Sequence, residues 1–183
     1  GYSLRNSLNI ATIKKIIEIV KVNNPDCICF VDNCYGEFVE KLEPTEVGAD
    51  LIAGSLIKNI GGGIVEAGGY IAGKAEYVDQ AAYRLTAPGI GSEGGAMLNQ
   101  LRLIFQGLFM APSVVASSLK TAVFASRFLE KLGFDVKPKF DEPRADIVQT
   151  INFEDKEKLV KYCQGIQMGS PVDSNSIPEP WDM

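Results

Sequence analysis

The chain has 183 residues, which suits one domain of ordinary size, or one domain and part of a second. Hydrophobic residues make up 46% and charged residues 22%, so a buried core is within reach and global disorder is not expected. The net charge is −5 with no basic tract, which argues against nucleic acid and anionic membranes as partners, and the absence of histidine removes Ser-His-Asp triads and Cys-His pairs within this chain.

The opening GYSLRNSLNI lacks the basic-then-apolar layout of a signal peptide and has no initiator Met, so the chain is expected to begin inside a longer protein. In IATIKKIIEIVKV (10–22), Ile13, Ile16, Ile17 and Val20 recur at helical spacing, with Lys14, Lys15, Glu18 and Lys21 off the stripe. NNPD (23–26) ends that helix. CICFVD (27–32) then reads as a short strand buried on both faces. Cys27 and Cys29 share one face of it, where a disulfide is geometrically poor and the spacing is not that of a usual zinc knuckle. With Cys34 and Cys163 they read as reduced thiols of a cytoplasmic protein.

Residues 37–48 read as a surface connection with a helical turn or two. ADLIAGSLIK (49–58) and GGYIAGK (68–74) follow as strands, and AEYVDQAAYRLT (75–86) as a helix. APGIGSEGG (87–95) is a loop. Residues 96–133 are largely helical, with Pro112 splitting or kinking the helix and Gly133 stopping it. No uninterrupted apolar run reaches the roughly 18 residues that span a bilayer, so no membrane association is expected. Strand-like pieces lie around Val136 and at 145–153, a helix at 155–167, and a proline-rich loop closes the chain. The order in the first half predicts an α/β domain with a mostly parallel sheet flanked by helices. The second half predicts long helices leading to part of a smaller α+β unit.

Asp32 and Lys58 each end an apolar strand, where ligands bind in open α/β sheets. Ser55 lies three before the lysine and Gly61 to Gly63 follow it. Singly, each has a plain structural explanation: a turn-forming acid, an edge charge, a glycine turn. A Walker phosphate loop does not fit, because the lysine precedes the glycines instead of opening a helix after them.

Together, FVDNCYGEF (30–38) and ADLIAGSLIKNIGGG (49–63) resemble the active-site strands of fold-type I pyridoxal-phosphate enzymes of the Cys/Met-metabolism group. The longer run through AYRLTAPGIGSEGGA resembles its methionine gamma-lyase-like, aluminium-resistance-associated branch. The resemblance implies that Lys58 forms a Schiff base with pyridoxal 5'-phosphate, that Asp32 pairs with the protonated pyridine nitrogen, and that Ser55 binds the phosphate. It implies that 1–112 is the C-terminal part of a large cofactor-binding domain, and 113–183 a linking helix with an incomplete small domain. It implies a homo-oligomer, tetramer or dimer, with shared sites, and a small amino acid as substrate.

Two positions depart from the group. Ile57 stands where a hydroxyl residue usually precedes the lysine, and Cys34 where a threonine follows Asp-Asn. Cys34 reads either as a neighbour of the ring or as an inert buried thiol, and Tyr35 as a polar neighbour of the site or a packing aromatic. The 86–95 stretch reads as a loop reaching a neighbouring subunit's cofactor or as an interdomain loop, and Arg144 as a surface residue. The function implied is a carbon–sulfur lyase acting by elimination on a cystathionine, cysteine or methionine type of substrate, with the fragment inactive alone. Transamination, racemisation, retro-aldol cleavage and a non-catalytic α/β assembly module are the alternatives.

Overall fold

The computed structural model describes residues 5–95 and 99–181. Helix α1 (Ile10–Asn23) begins where the Asn9 side chain accepts the Thr12 N–H at 2.8 Å, a cap worth about 1 kcal/mol. Ile13 and Ile17, one turn apart, are its buried face and pack with Ala49 and Ile52. Ile16, predicted on the same stripe, is exposed, because it lies one residue round the helix from Ile17.

Strands β1 (Phe30–Asp32), β2 (Leu51–Ser55) and β3 (Gly69–Gly73) form a sheet in that order. β1 and β2 are parallel, with Asp32 opposite Ala53. β3 is antiparallel to β2, with Ser55 opposite Gly69. The sheet is therefore mixed, and the expectation of a mostly parallel one is corrected. Residues 56–68 turn the chain straight back, and an antiparallel return needs no crossover helix. Nor is β1 buried on both faces: Phe30 is 55% exposed, and among the described residues β1 has a strand neighbour on one side only. The connection from β1 to β2 carries a 3-10 turn, Pro44–Val47, closed by a capping box between Glu43 and Glu46 that lies against α1.

Helix α2 (Ala75–Leu85) packs on β3, and helix α3 (Leu101–Lys131) runs unbroken through Pro112. Proline forfeits one backbone bond, but Ala111 and Val115 on either side are fully buried, and that packing holds the helix together. Gly133, at φ 89°, ends α3 as predicted: its N–H bonds the Glu130 carbonyl and the Phe134 N–H bonds that of Leu129.

By length and composition alone α3 is apolar enough to cross a membrane. No uninterrupted apolar run is that long, but the folded helix gathers separated apolar residues into one element. One stripe of it, including Gly107, Ala111, Val115 and Leu129, is buried, and α3 packs on the turn after β2 and on β4.

Strands β4 (Asp135–Lys137) and β5 (Thr150–Asn152) form an antiparallel hairpin, and α4 (Lys156–Met168) starts at an Asp155 cap. Phe153 bridges Phe134 and Tyr162 at 5.4 and 4.9 Å between ring centroids, fixing α4 to the hairpin. The strand expected over 145–153 is confined to Thr150–Asn152, because Asp146 accepts the Val148 N–H and turns the chain before it.

Candidate active site

β1 ends at Asp32, whose Oδ1 accepts the Cys34 N–H at 3.0 Å and starts a tight turn. Tyr35 (φ 71°) and Phe38 (φ 63°) adopt the left-handed conformation, uncommon for aromatic side chains. The turn brings the Tyr35 ring against Lys58, whose Nζ lies 4.5 Å from the ring centroid. Hydrogen bonds from the Cys34 N–H, and then from its thiol, hold the Asp32 carboxyl below its usual range, with the Lys58 charge adding to the effect. An ionised carboxylate, a lysine amine and an aromatic face thus meet beyond the carboxyl ends of two parallel strands. Cys34 is half-buried, with its thiol turned to Asp32.

Lys58 does not end β2, as the sequence reading had it. The strand stops at Ser55, and the chain turns so that the Lys58 N–H approaches the Ser55 carbonyl at 3.4 Å. Lys58 then heads a 3-10 turn, Asn59–Gly61. Two of the glycines after it, Gly61 and Gly62, are explained by packing, and Gly63 by its left-handed φ of 78°. A Cβ on Gly62 would stand 2.4 Å from the Gly107 carbonyl oxygen of α3, and a Cβ on Gly107 would stand 2.4 Å from the Gly61 carbonyl oxygen. Two backbones cross there, which only glycine permits.

Beneath the site lies a cluster that the sequence reading missed. Glu37 is 1% exposed, and its Oε1 accepts the Tyr70 hydroxyl at 2.8 Å. Its backbone carbonyl accepts the Asn59 side chain at 2.9 Å. Asn33 donates to Glu43 at 2.9 Å and reaches the Tyr70 hydroxyl at 3.5 Å. Burial pushes the Glu37 carboxyl up, and burial with the neighbouring Glu37 pushes the Tyr70 phenol up. The one trace in the sequence is an acid inside the otherwise apolar YGEFV.

A second buried acid, Asp50, ties the elements that carry the site. It accepts the Lys21 and Lys74 ammonium groups, each at 2.7 Å, and the Cys29 N–H at 2.8 Å. Burial opposes its ionisation, but those three donors outweigh burial and hold its carboxyl well below the usual range. Arg144 is not the surface residue expected. It is half-buried and donates to the Ala122 carbonyl of α3, the Val148 carbonyl and the Gln149 side chain, joining α3 to the hairpin. The 86–95 stretch folds back on α2, with the Thr86 hydroxyl between the Ala82 and Gly91 carbonyls.

Fold and site together define an α/β protein with an acid at the end of one parallel strand and a lysine in the turn after its neighbour. The chain belongs to the methionine gamma-lyase family, whose model matches residues 1–183. It is 54% identical over 180 residues to YnbB of Bacillus subtilis (strain 168), an uncharacterized protein, covering 98% of this chain and 43% of YnbB. A candidate cystathionine beta-lyase involved in aluminium resistance, from Clostridium acetobutylicum, matches at TM-score 0.94 and 56% identity, over 99% of this chain and 43% of that one. A carbon–sulfur lyase involved in aluminium resistance, from Clostridium novyi NT, matches at TM-score 0.93 and 55% identity, over 98% and 43%. The chain therefore spans less than half the length of each of these three relatives.

Proposed function

We propose that the protein carrying this chain is a pyridoxal-phosphate-dependent carbon–sulfur lyase, acting by elimination on a sulfur amino acid of the cystathionine, cysteine or methionine type. The observation that carries this reading is the meeting of ionised Asp32 with Lys58 and Tyr35 beyond β1 and β2, in a chain of the methionine gamma-lyase family. The lyase names of the two clostridial relatives support the reaction class. Fold-type I architecture belongs to the same proposal. So do the division into a large-domain part (1–112) and a linking helix with an incomplete small domain (113–183), and assembly as a homo-oligomer with shared sites.

The residues present fit the cofactor. When bound, pyridoxal phosphate supplies an aldehyde carbon and a ring that accepts electrons from the substrate Cα. Lys58 is the amine that reaches the aldehyde, and it reacts in its neutral form. Asp32, held ionised by Cys34, would accept a hydrogen bond from a protonated ring nitrogen and so favour that protonation. Ser55, at the last position of β2, would donate to the phosphate. With the cofactor bound and the substrate amine in its place, Lys58 would take the proton from Cα; in a β-elimination the carbon–sulfur bond electrons would leave with the thiolate as the Cα–Cβ double bond forms, and a γ-elimination would need a second proton removed at Cβ first. No histidine is needed for any of these proton transfers.

The test uses the protein produced from its complete reading frame. With pyridoxal phosphate added, the wild type is expected to turn yellow, and borohydride reduction followed by peptide mapping should place the adduct on Lys58. Lys58→Ala should remain colourless and yield no adduct. A colourless wild type without an adduct would falsify the enzyme reading and favour the non-catalytic module.

A further inference from the structure

We infer that Glu37 is a positioning residue for Lys58, acting through Asn59 and Tyr70 as a buried pin that holds the two site turns against each other. The inference rests on the reading of Lys58 as the cofactor-binding amine.

Three segments meet at this one residue. Its backbone carbonyl holds the side chain of Asn59, the residue directly after Lys58, at 2.9 Å. Its carboxyl holds the Tyr70 hydroxyl of β3 at 2.8 Å. Its own backbone lies two residues after Tyr35, whose ring faces the Lys58 amine. The carboxyl reaches Tyr70 past Gly54 of β2, where a Cβ would stand 2.6 Å from Glu37 Oε1 and 2.5 Å from the Tyr70 ring. The missing side chain in β2 is what lets the turn after β1 bond directly to β3.

The geometry favours a role in positioning over one in bulk stability. A buried carboxyl costs free energy that an apolar residue of the same size would not. Directional bonds to two elements do what apolar contact does not: they set the separation of the Tyr35 turn and the Lys58 turn. Glu37 Oε2 and Asn59 Oδ1 are buried and accept no hydrogen bond among the described residues. Glu37 reaches Asn59 and Tyr70 through one bond each, and each of these can be removed singly.

The experiment uses the complete protein, titrated with pyridoxal phosphate and followed by the visible circular dichroism of the bound cofactor, with thermal melts in parallel. Tyr70→Phe and Asn59→Ala each delete one bond at nearly constant backbone. Each is expected to weaken cofactor binding about tenfold and to reduce the dichroism at saturation. Glu37→Gln keeps both acceptors and should stay within about twofold of wild type.

Suppose that Tyr70→Phe and Asn59→Ala match the wild type while the borohydride adduct still maps to Lys58. The positioning role is then overturned and the reading of Lys58 stands. Weaker binding that only tracks a lower Tm, with unchanged dichroism at saturation, overturns it equally. A wild type with no adduct at Lys58 removes the premise instead, and that outcome is distinct from the other two.

Discussion

Asp50 receives two lysine ammonium groups and a backbone N–H, while the equally buried Glu37 receives a phenol. The two carboxyls therefore respond oppositely to pH. Glu37 is pushed up by burial, so its folded value lies above the unfolded one. Its contribution to stability is complete below the unfolded carboxylate range, about pH 4.3, and is lost as pH rises through the folded value. Glu37→Gln removes that ionisation and should gain on the wild type as pH rises; urea midpoints across a pH series would show it, and parallel curves would refute it. Asp50 is held well below its usual range, so its contribution is present above about pH 3.9 and fades as pH falls toward the folded value. Asp50→Asn should cost about 2–3 kcal/mol at neutral pH, near the low end for a broken buried pair because both lysines reach solvent. The same titration series should show that penalty shrinking in acid.

Among the elements, the contact of α3 with the Lys58 turn governs the site most directly. Alanine usually stabilises a helix interior relative to glycine by about 1 kcal/mol. At Gly107 the sign should reverse, because the added Cβ meets the Gly61 carbonyl oxygen at 2.4 Å. Overpacking of this kind costs roughly 1–3 kcal/mol and displaces the turn that presents Lys58. Gly107→Ala is thus expected to lower the Tm and to weaken cofactor binding together. A higher Tm would mean that the crossing is loose.

Over the whole molecule, α3 has one face on its own domain and another in solvent. Phe105, Phe109, Phe124 and Phe128 are exposed, Phe109 to 87%. Scattered exposed apolar residues are ordinary on a protein surface, but four phenylalanines on one helix exceed that. The 183-residue chain produced by itself should therefore enhance the fluorescence of a hydrophobic dye strongly, and Phe105→Ser with Phe109→Ser should remove most of the enhancement. A weak signal from the unmodified chain would show that this face is covered.

Local order was legible in the sequence because it depends on spacing and on caps that lie within a few residues. The helix at Ile10–Asn23 and the stop at Gly133 follow from Ile13 with Ile17 and from a left-handed glycine, and the helices at Ala75–Leu85 and Lys156–Met168 lie where the sequence placed them. Asp32 and Lys58 were also visible, since they close apolar runs, and Ser55 through the family motif three residues before the lysine. The antiparallel direction of β3 was hidden, because a strand has the same side-chain period whichever way it pairs. So were the exposure of Phe30, which depends on what lies beside β1, and the Glu37–Tyr70 bond, whose partners are 33 residues apart. The sequence alone determined which residues could form helices and strands and picked out a strand-end acid and a lysine that closes an apolar run. Only the tertiary structure decided that a left-handed Tyr35 faces that lysine and that Gly107 presses on its turn. Both depend on contacts between segments distant in the chain, and no local preference encodes them.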